Sequence, residues 1–131
     1  IGISIGERIS TTKRSGAKPR FVSYANVFDK FGRWLFFESG AARYEYGDHA
    51  TQVATLVSQA VDRFKQTTGV FPEKVALHYY KRFGKAEITA IGNALAERNA
   101  NVKIAFVSID DSHPLRAYDF RVEDGSFPRG N

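Results

Sequence analysis

Residues 53–80 read VATLVSQAVDRFKQTTGVFPEKVALHYY. Val53, Leu56, Val57, Ala60, Val61 and Phe64 recur at the spacing that puts them on one side of a helix, a single apolar stripe. Asp48 suits the N-cap of that helix and Gly69 its C-terminal stop. Pro72 ends any further helix, and Lys74 to Tyr80 reads as an apolar strand. A helix that hands over to a strand within a few residues is half of a crossover, the unit that builds parallel sheets.

Upstream of the helix the period is two. Ile1, Ile3 and Ile5 alternate with Gly2, Ser4 and Gly6, so Ile1 to Ile9 reads as a strand. Ser10 to Pro19 reads as a loop. Arg20 to Phe28 is a second strand and Arg33 to Glu38 a third, joined by the turn Asp29-Lys30-Phe31-Gly32 as an antiparallel hairpin. In the third strand Trp34 with Phe36, and Leu35 with Phe37, read as core on its two faces. Downstream, a second helix spans about Ala86 to Arg98, with Ile88, Ile91 and Leu95 facing inward and Asn99 and Asn101 at its end. Val102 to Ile109 reads as a buried strand, and Leu115 to Val122 as one more irregular strand.

The order is β-β-β-α-β-α-β. A three-strand meander followed by right-handed crossovers gives a mixed α/β five-stranded sheet in the order 3-2-1-4-5, with helices packed on it. That is the element order of the ribonuclease-H-like fold. The 131 residues fit one domain. The chain opens inside a strand and contains no methionine, so residues 1–131 are expected to be a segment of a longer polypeptide, incomplete at its C-terminal end.

Composition narrows the function. No apolar run approaches the ~20 residues of a membrane helix. The absence of cysteine rules out disulfides and thiolate metal sites and makes a cytoplasmic setting the expectation. Net charge is +5 with a pI near 9.6, and the excess is uneven. Arg8, Lys13, Arg14, Lys18 and Arg20 face the single acid Glu7 in residues 1–20. Lys81, Arg82 and Lys85 form a second group, and Arg116, Arg121 and Arg129 a looser third. Such a surplus suits a polyanionic partner.

Three stretches carry a family resemblance. Gly2-Ile3-Ser4-Ile5-Gly6 resembles the opening strand of PIWI domains, where Gly-apolar-Asp bears the first catalytic carboxylate. Phe71-Pro72-Glu73-Lys74-Val75-Ala76-Leu77-His78-Tyr79-Tyr80 resembles the approach to the second. Lys103 to Arg116, ending Ser112-His113-Pro114-Leu115-Arg116, resembles the PIWI strand that closes on a His-x-x-Arg element. The Ser-His-Pro and His-Tyr-Tyr-Lys variants look like the short prokaryotic Argonaute branch. By resemblance, the chain is a module that holds a guide–target nucleic-acid duplex in guide-directed silencing or defence. The guide 5′ end would then sit mostly in a neighbouring domain, and effector work would fall to a partner or fused protein.

Two departures bear on catalysis. Active family members hold two divalent metals between carboxylates on adjacent central strands. Here Ser4 stands at the first position, and Tyr80 (or Lys81, one residue on) at the second, with no acid between Glu73 and Glu87. Glu38 or Glu45 suits the place of the family's loop glutamate, but one carboxylate does not hold two magnesium ions. The resemblance therefore implies binding without cutting, no cofactor and no small-molecule substrate. His113, Arg116, Lys81, Arg82 and Lys85 are expected to carry the grip on phosphate, His113 being as readily part of the loop structure. Two alternatives stay open. One is a magnesium-dependent nuclease whose missing acids lie outside the segment. The other is a protein-interaction scaffold that no longer binds nucleic acid.

Other patterns read more plainly. Gly2 to Gly6 also matches the Gly-x-Ser-x-Gly elbow of hydrolases, but that elbow needs a strand before it and a helix after it. Ser4 thus reads as a small residue in a packed central strand. His49, His78 and His113 lack metal-ligand spacing, and His78 reads as a hydrogen-bonded histidine of the sheet. Asp110-Asp111 reads as a turn cap, since neighbours at a strand end point to opposite faces.

Overall fold

The computed structural model describes residues 1–10, 20–43 and 49–109. Its elements run β1 (Gly2–Ser10), β2 (Arg20–Phe28), β3 (Trp34–Arg43), α1 (His49–Thr68), β4 (Lys74–Tyr79), α2 (Lys85–Ala96) and β5 (Lys103–Ser108). The sheet order is β3-β2-β1-β4-β5, as the sequence implied. β1 pairs antiparallel with β2 and parallel with β4, and β4 is parallel to β5. β4 and β5 therefore end together at Tyr79 and Ser108, beside Ile5 of β1, which runs on to Ser10 alongside β2.

Alternation decides what is buried. Ile3 and Ile5 of β1, Ala25 and Val27 of β2, Phe36 of β3, and Val75, Leu77 and Tyr79 of β4 share one face and form a single cluster with both helices. Helix α1 supplies the stripe read from its spacing, with Phe64 partly buried. Gly69 follows it with φ +82° and donates its N–H to the Lys65 carbonyl at 2.7 Å, a left-handed residue that suits glycine. The β2–β3 turn is held by Asp29, whose Oδ1 accepts the N–H groups of Phe31 and Arg33 at 2.8 and 2.9 Å. Gly32 takes φ +78° there.

Five expectations need correction. β3 runs on to Arg43 instead of ending at Glu38, because its ladder with β2 continues through Tyr24↔Ser39 and Ser23↔Gly40 to Arg20↔Arg43, although those small residues carry little strand preference of their own. β4 stops at Tyr79, so Tyr80 lies just past the strand. β5 is the edge strand of the described sheet, paired with β4 along one side, and none of its residues is fully buried. Ile88 is exposed, because the buried line of α2 runs Glu87, Ile91, Leu95 and Ile88 falls beside it. Of the four large residues opening β3, only Phe36 is core. Trp34, Leu35 and Phe37 are exposed, and Trp34 and Phe37 pair with Phe28 and Asn26 on the sheet face away from the helices.

Gly6 sits on that outer face under a ring. A Cβ there would lie 2.2 Å from the Tyr24 ring, and Tyr24 in turn stacks on Phe37 at 5.9 Å between centroids. Gly2, Ser4 and Gly6 thus make β1 a shallow track down the middle of the outer face.

Candidate nucleic-acid interface

Ser4 lies mid-strand and half-buried, in register with Asn26 on one side and His78 on the other. His78 is half-buried beside it, in register between Ser4 of β1 and Val107 of β5. Tyr80 is exposed at the rim, and its hydroxyl donates to Glu7 Oε2 at 2.8 Å.

Glu7 is the centre of this rim. Period-two alternation from Ile3 and Ile5 carries it onto the buried face, where its side chain is 2% exposed. A carboxylate so placed must be paired. Its Oε1 accepts from the Tyr79 hydroxyl and meets His49 Nε2. Its Oε2 accepts from Tyr80 and from Lys81 Nζ, the latter at 2.9 Å. His49 Nδ1 lies 2.9 Å from Glu87 Oε1, so the imidazole bridges two carboxylates. Glu87 Oε2 in turn accepts the Gly84 N–H at 2.6 Å, which ties down the start of α2.

Burial pushes the Glu7 carboxyl up, but hydrogen bonds from Tyr79, Lys81, His49 and Tyr80 together outweigh it and hold it below the ordinary value. Burial first, and then Glu7, push both phenols up, Tyr80 to about 12. Glu7 therefore contributes stability that is present above about pH 4.5 and lost as pH falls through its lowered value. The tyrosines act in the opposite sense: their contribution is present below pH 10 and lost as pH climbs toward the raised value. Urea midpoints measured against pH are expected to fall on both limbs, with the acid limb flattened in Glu7→Gln.

The predicted grip residues separate. Lys81 is committed to Glu7 and lies 5.0 Å from the Tyr79 ring centroid. Arg82 and Lys85 are exposed, flanking the Gly84 N-cap on the β4–α2 connection, and neither is ion-paired among the described residues. His113, Arg116, Arg121, Arg129, Asp110, Asp111, Glu45, Asp48 and the Leu115–Val122 stretch lie outside the described residues. Glu38 is on the helix side, accepting from Arg63 Nη1 at 3.2 Å, and so faces away from Ser4.

Ser4 and Tyr80, the two positions that the family resemblance equates with metal-binding carboxylates, do not offer the ligands a divalent ion needs. Ser4 is a neutral hydroxyl, and Tyr80 is a phenol that stays protonated at neutral pH while bound to Glu7. Among the described residues no group of three or more His, Asp or Glu is arranged to hold a metal. In the Glu7–His49–Glu87 chain the imidazole lies between the carboxylates, so the three do not converge.

Sequence reasoning had used Glu7 only as an isolated acid in a basic stretch, and had not singled out His49 or Glu87 for this role. One signal was available for Glu7: its parity with Ile3 and Ile5 placed an acid on the buried face. Nothing local pointed to its partners, which lie 42 residues away for His49 and 72 for Tyr79.

The sheet order, the helix-covered face and the rim where β4 and β5 end beside β1 define a ribonuclease-H-like α/β fold of the kind found in Argonaute proteins. Among solved structures, Marinitoga piezophila Argonaute in complex with a 5′-OH guide RNA is similar with a TM-score of 0.59 and 18% identity, over 90% of this chain and 18% of the Argonaute. LC11 ribonuclease H1 in complex with an RNA/DNA hybrid is similar with a TM-score of 0.54 and 10% identity, over 84% of this chain and 85% of the enzyme. Kluyveromyces polysporus Argonaute with a guide RNA gives 0.53 and 10%, over 95% of this chain and 16% of that one. No family model matches the sequence, and no curated protein matches it significantly.

Proposed function

We propose that this chain is a PIWI-type module of a short prokaryotic Argonaute-like protein that holds a guide–target duplex without cutting it. One observation carries the reading. Where two strand-borne carboxylates would be needed stand Ser4, on the outer face of β1, and Tyr80, whose hydroxyl is bound at the rim to Glu7, each of whose oxygens already has two partners. A buried carboxylate tied to four donors fixes the rim and offers nothing to a metal. The surplus positive charge, with Arg82 and Lys85 exposed beside the rim and not ion-paired among the described residues, supports a phosphate grip. So do the guide RNA and RNA/DNA hybrid in the similar structures. Such a module acts through a partner or fused effector, and its own contribution is positioning, which phosphate contacts supply without reading bases.

The reading is tested by titrating a labelled guide strand and a guide–target duplex into the protein over a range of salt. Binding should occur and weaken linearly in log K against log salt. Absence of binding to either substrate at low salt would defeat the reading and favour a scaffold.

A further inference from the structure

The β2–β3 hairpin tip lies at the opposite end of the sheet from the rim, beside the start of β1, where Phe28 pairs with Gly2. It is built unlike an ordinary turn. Phe31 is 71% exposed and Trp34 59%. Lys30 Nζ and Arg33 Cζ lie 5.0 and 5.4 Å from the Phe31 ring centroid. Next along the outer face, Phe37 is 47% exposed and already stacked with Tyr24. Asn26 Oδ1 accepts from Trp34 Nε1 at 3.4 Å, which orients the indole across the strand pair.

Large rings left in water are costly to the monomer and mark a contact surface. An apolar protein partner is the poorer fit, because here the rings are interleaved with cations. Asp29 offsets Arg33 at 2.7 Å, and Lys30 is left with no ion pair among the described residues. Exposed rings with two cations drawn over one of them, Phe31, meet both needs of a single-stranded nucleic acid, aromatic surface for the bases and positive charge for the backbone.

We infer that the outer face at the β2–β3 tip is a second nucleic-acid site, in which Trp34 and Phe31 stack on unpaired bases while Lys30 and Arg33 meet the adjoining phosphates. The inference rests on the proposed nucleic-acid function and adds to it a place for unpaired bases, distinct from the phosphate-gripping rim. Gly2 to Glu7 separates the two sites by roughly 17 Å at about 3.3 Å per residue, and the track between them is the small-residue side of β1.

The test uses a single-stranded homopyrimidine oligonucleotide and a phosphodiester of equal length without bases, with Trp34 as the reporter. Binding is followed by anisotropy of the labelled strand and, separately, by indole emission. The oligonucleotide is expected to quench Trp34 at saturation and the abasic chain is not, with the quenching lost in Trp34→Phe. Phe31→Ala/Trp34→Ala should weaken single-strand affinity about tenfold or more while leaving abasic-chain affinity unchanged. Arg82→Ala/Lys85→Ala should weaken both ligands and leave the quenching at saturation intact. Full anisotropy change with no change in Trp34 emission overturns this inference and leaves the rim reading standing. A blue shift of Trp34 that grows with protein concentration alone overturns it in favour of a second copy on the patch. No binding of either ligand overturns both.

Discussion

Glu7→Ala is expected to cost the fold about 3–5 kcal/mol, the range for breaking a buried ion network by removing one member. The size follows from what is left behind. Tyr79 is 1% exposed, so its hydroxyl would lose its acceptor inside the core, and an orphaned buried donor costs on the order of 1–3 kcal/mol alone. His49 would lose one of its two carboxylates and Lys81 would be released to solvent. Lys81→Ala makes the contrast: that side chain is 41% exposed, so its loss should cost no more than about 1 kcal/mol. Urea unfolding of the two variants checks the difference. Should Glu7→Ala fail to accumulate, Glu7→Gln and Tyr79→Phe give the same ordering at smaller cost. Equal stability of the wild-type protein and Glu7→Gln would show that Glu7 is not the keystone of the rim.

The second large effect concerns affinity. Arg82→Ala/Lys85→Ala is expected to weaken duplex binding similarly for all sequences and to lower the slope of log K against log salt by about two units, one for each lost phosphate contact. Lys81→Ala should change that slope little, since its charge is already offset by Glu7. The three residues form one basic group in sequence, and geometry divides them into two exposed cations and one internal tie. An unchanged slope in the double variant would assign the grip elsewhere on the chain.

The fold was legible because its signals are local. The α1 stripe, the Asp29 turn and the alternation of Ile1, Ile3 and Ile5 each depend on residues a few positions apart, and the parallel crossover follows from their order. Errors arose where tertiary placement overrides local pattern. Ser39, Gly40, Ala41 and Ala42 look like the end of a strand, yet β2 continues to pair with them. Trp34, Leu35 and Phe37 look like core, but the described structure covers only the helix side of the sheet. Ser4 and Tyr80 are singled out by the family resemblance of their strands alone. The Glu7 cluster could not be assembled in advance, because it depends on the β1–β4 register and on which face of α1 meets the sheet end.

Holding and cutting are separated most directly by one measurement on one sample: a labelled target strand paired to its guide, bound to the protein with magnesium or manganese present, followed both by anisotropy and on a denaturing gel. Salt-sensitive binding with the target strand intact after prolonged incubation is the expected result. Cleavage that requires the metal, is abolished by chelation and persists in highly purified protein would contradict a site built on Ser4, Tyr80 and a fully occupied Glu7.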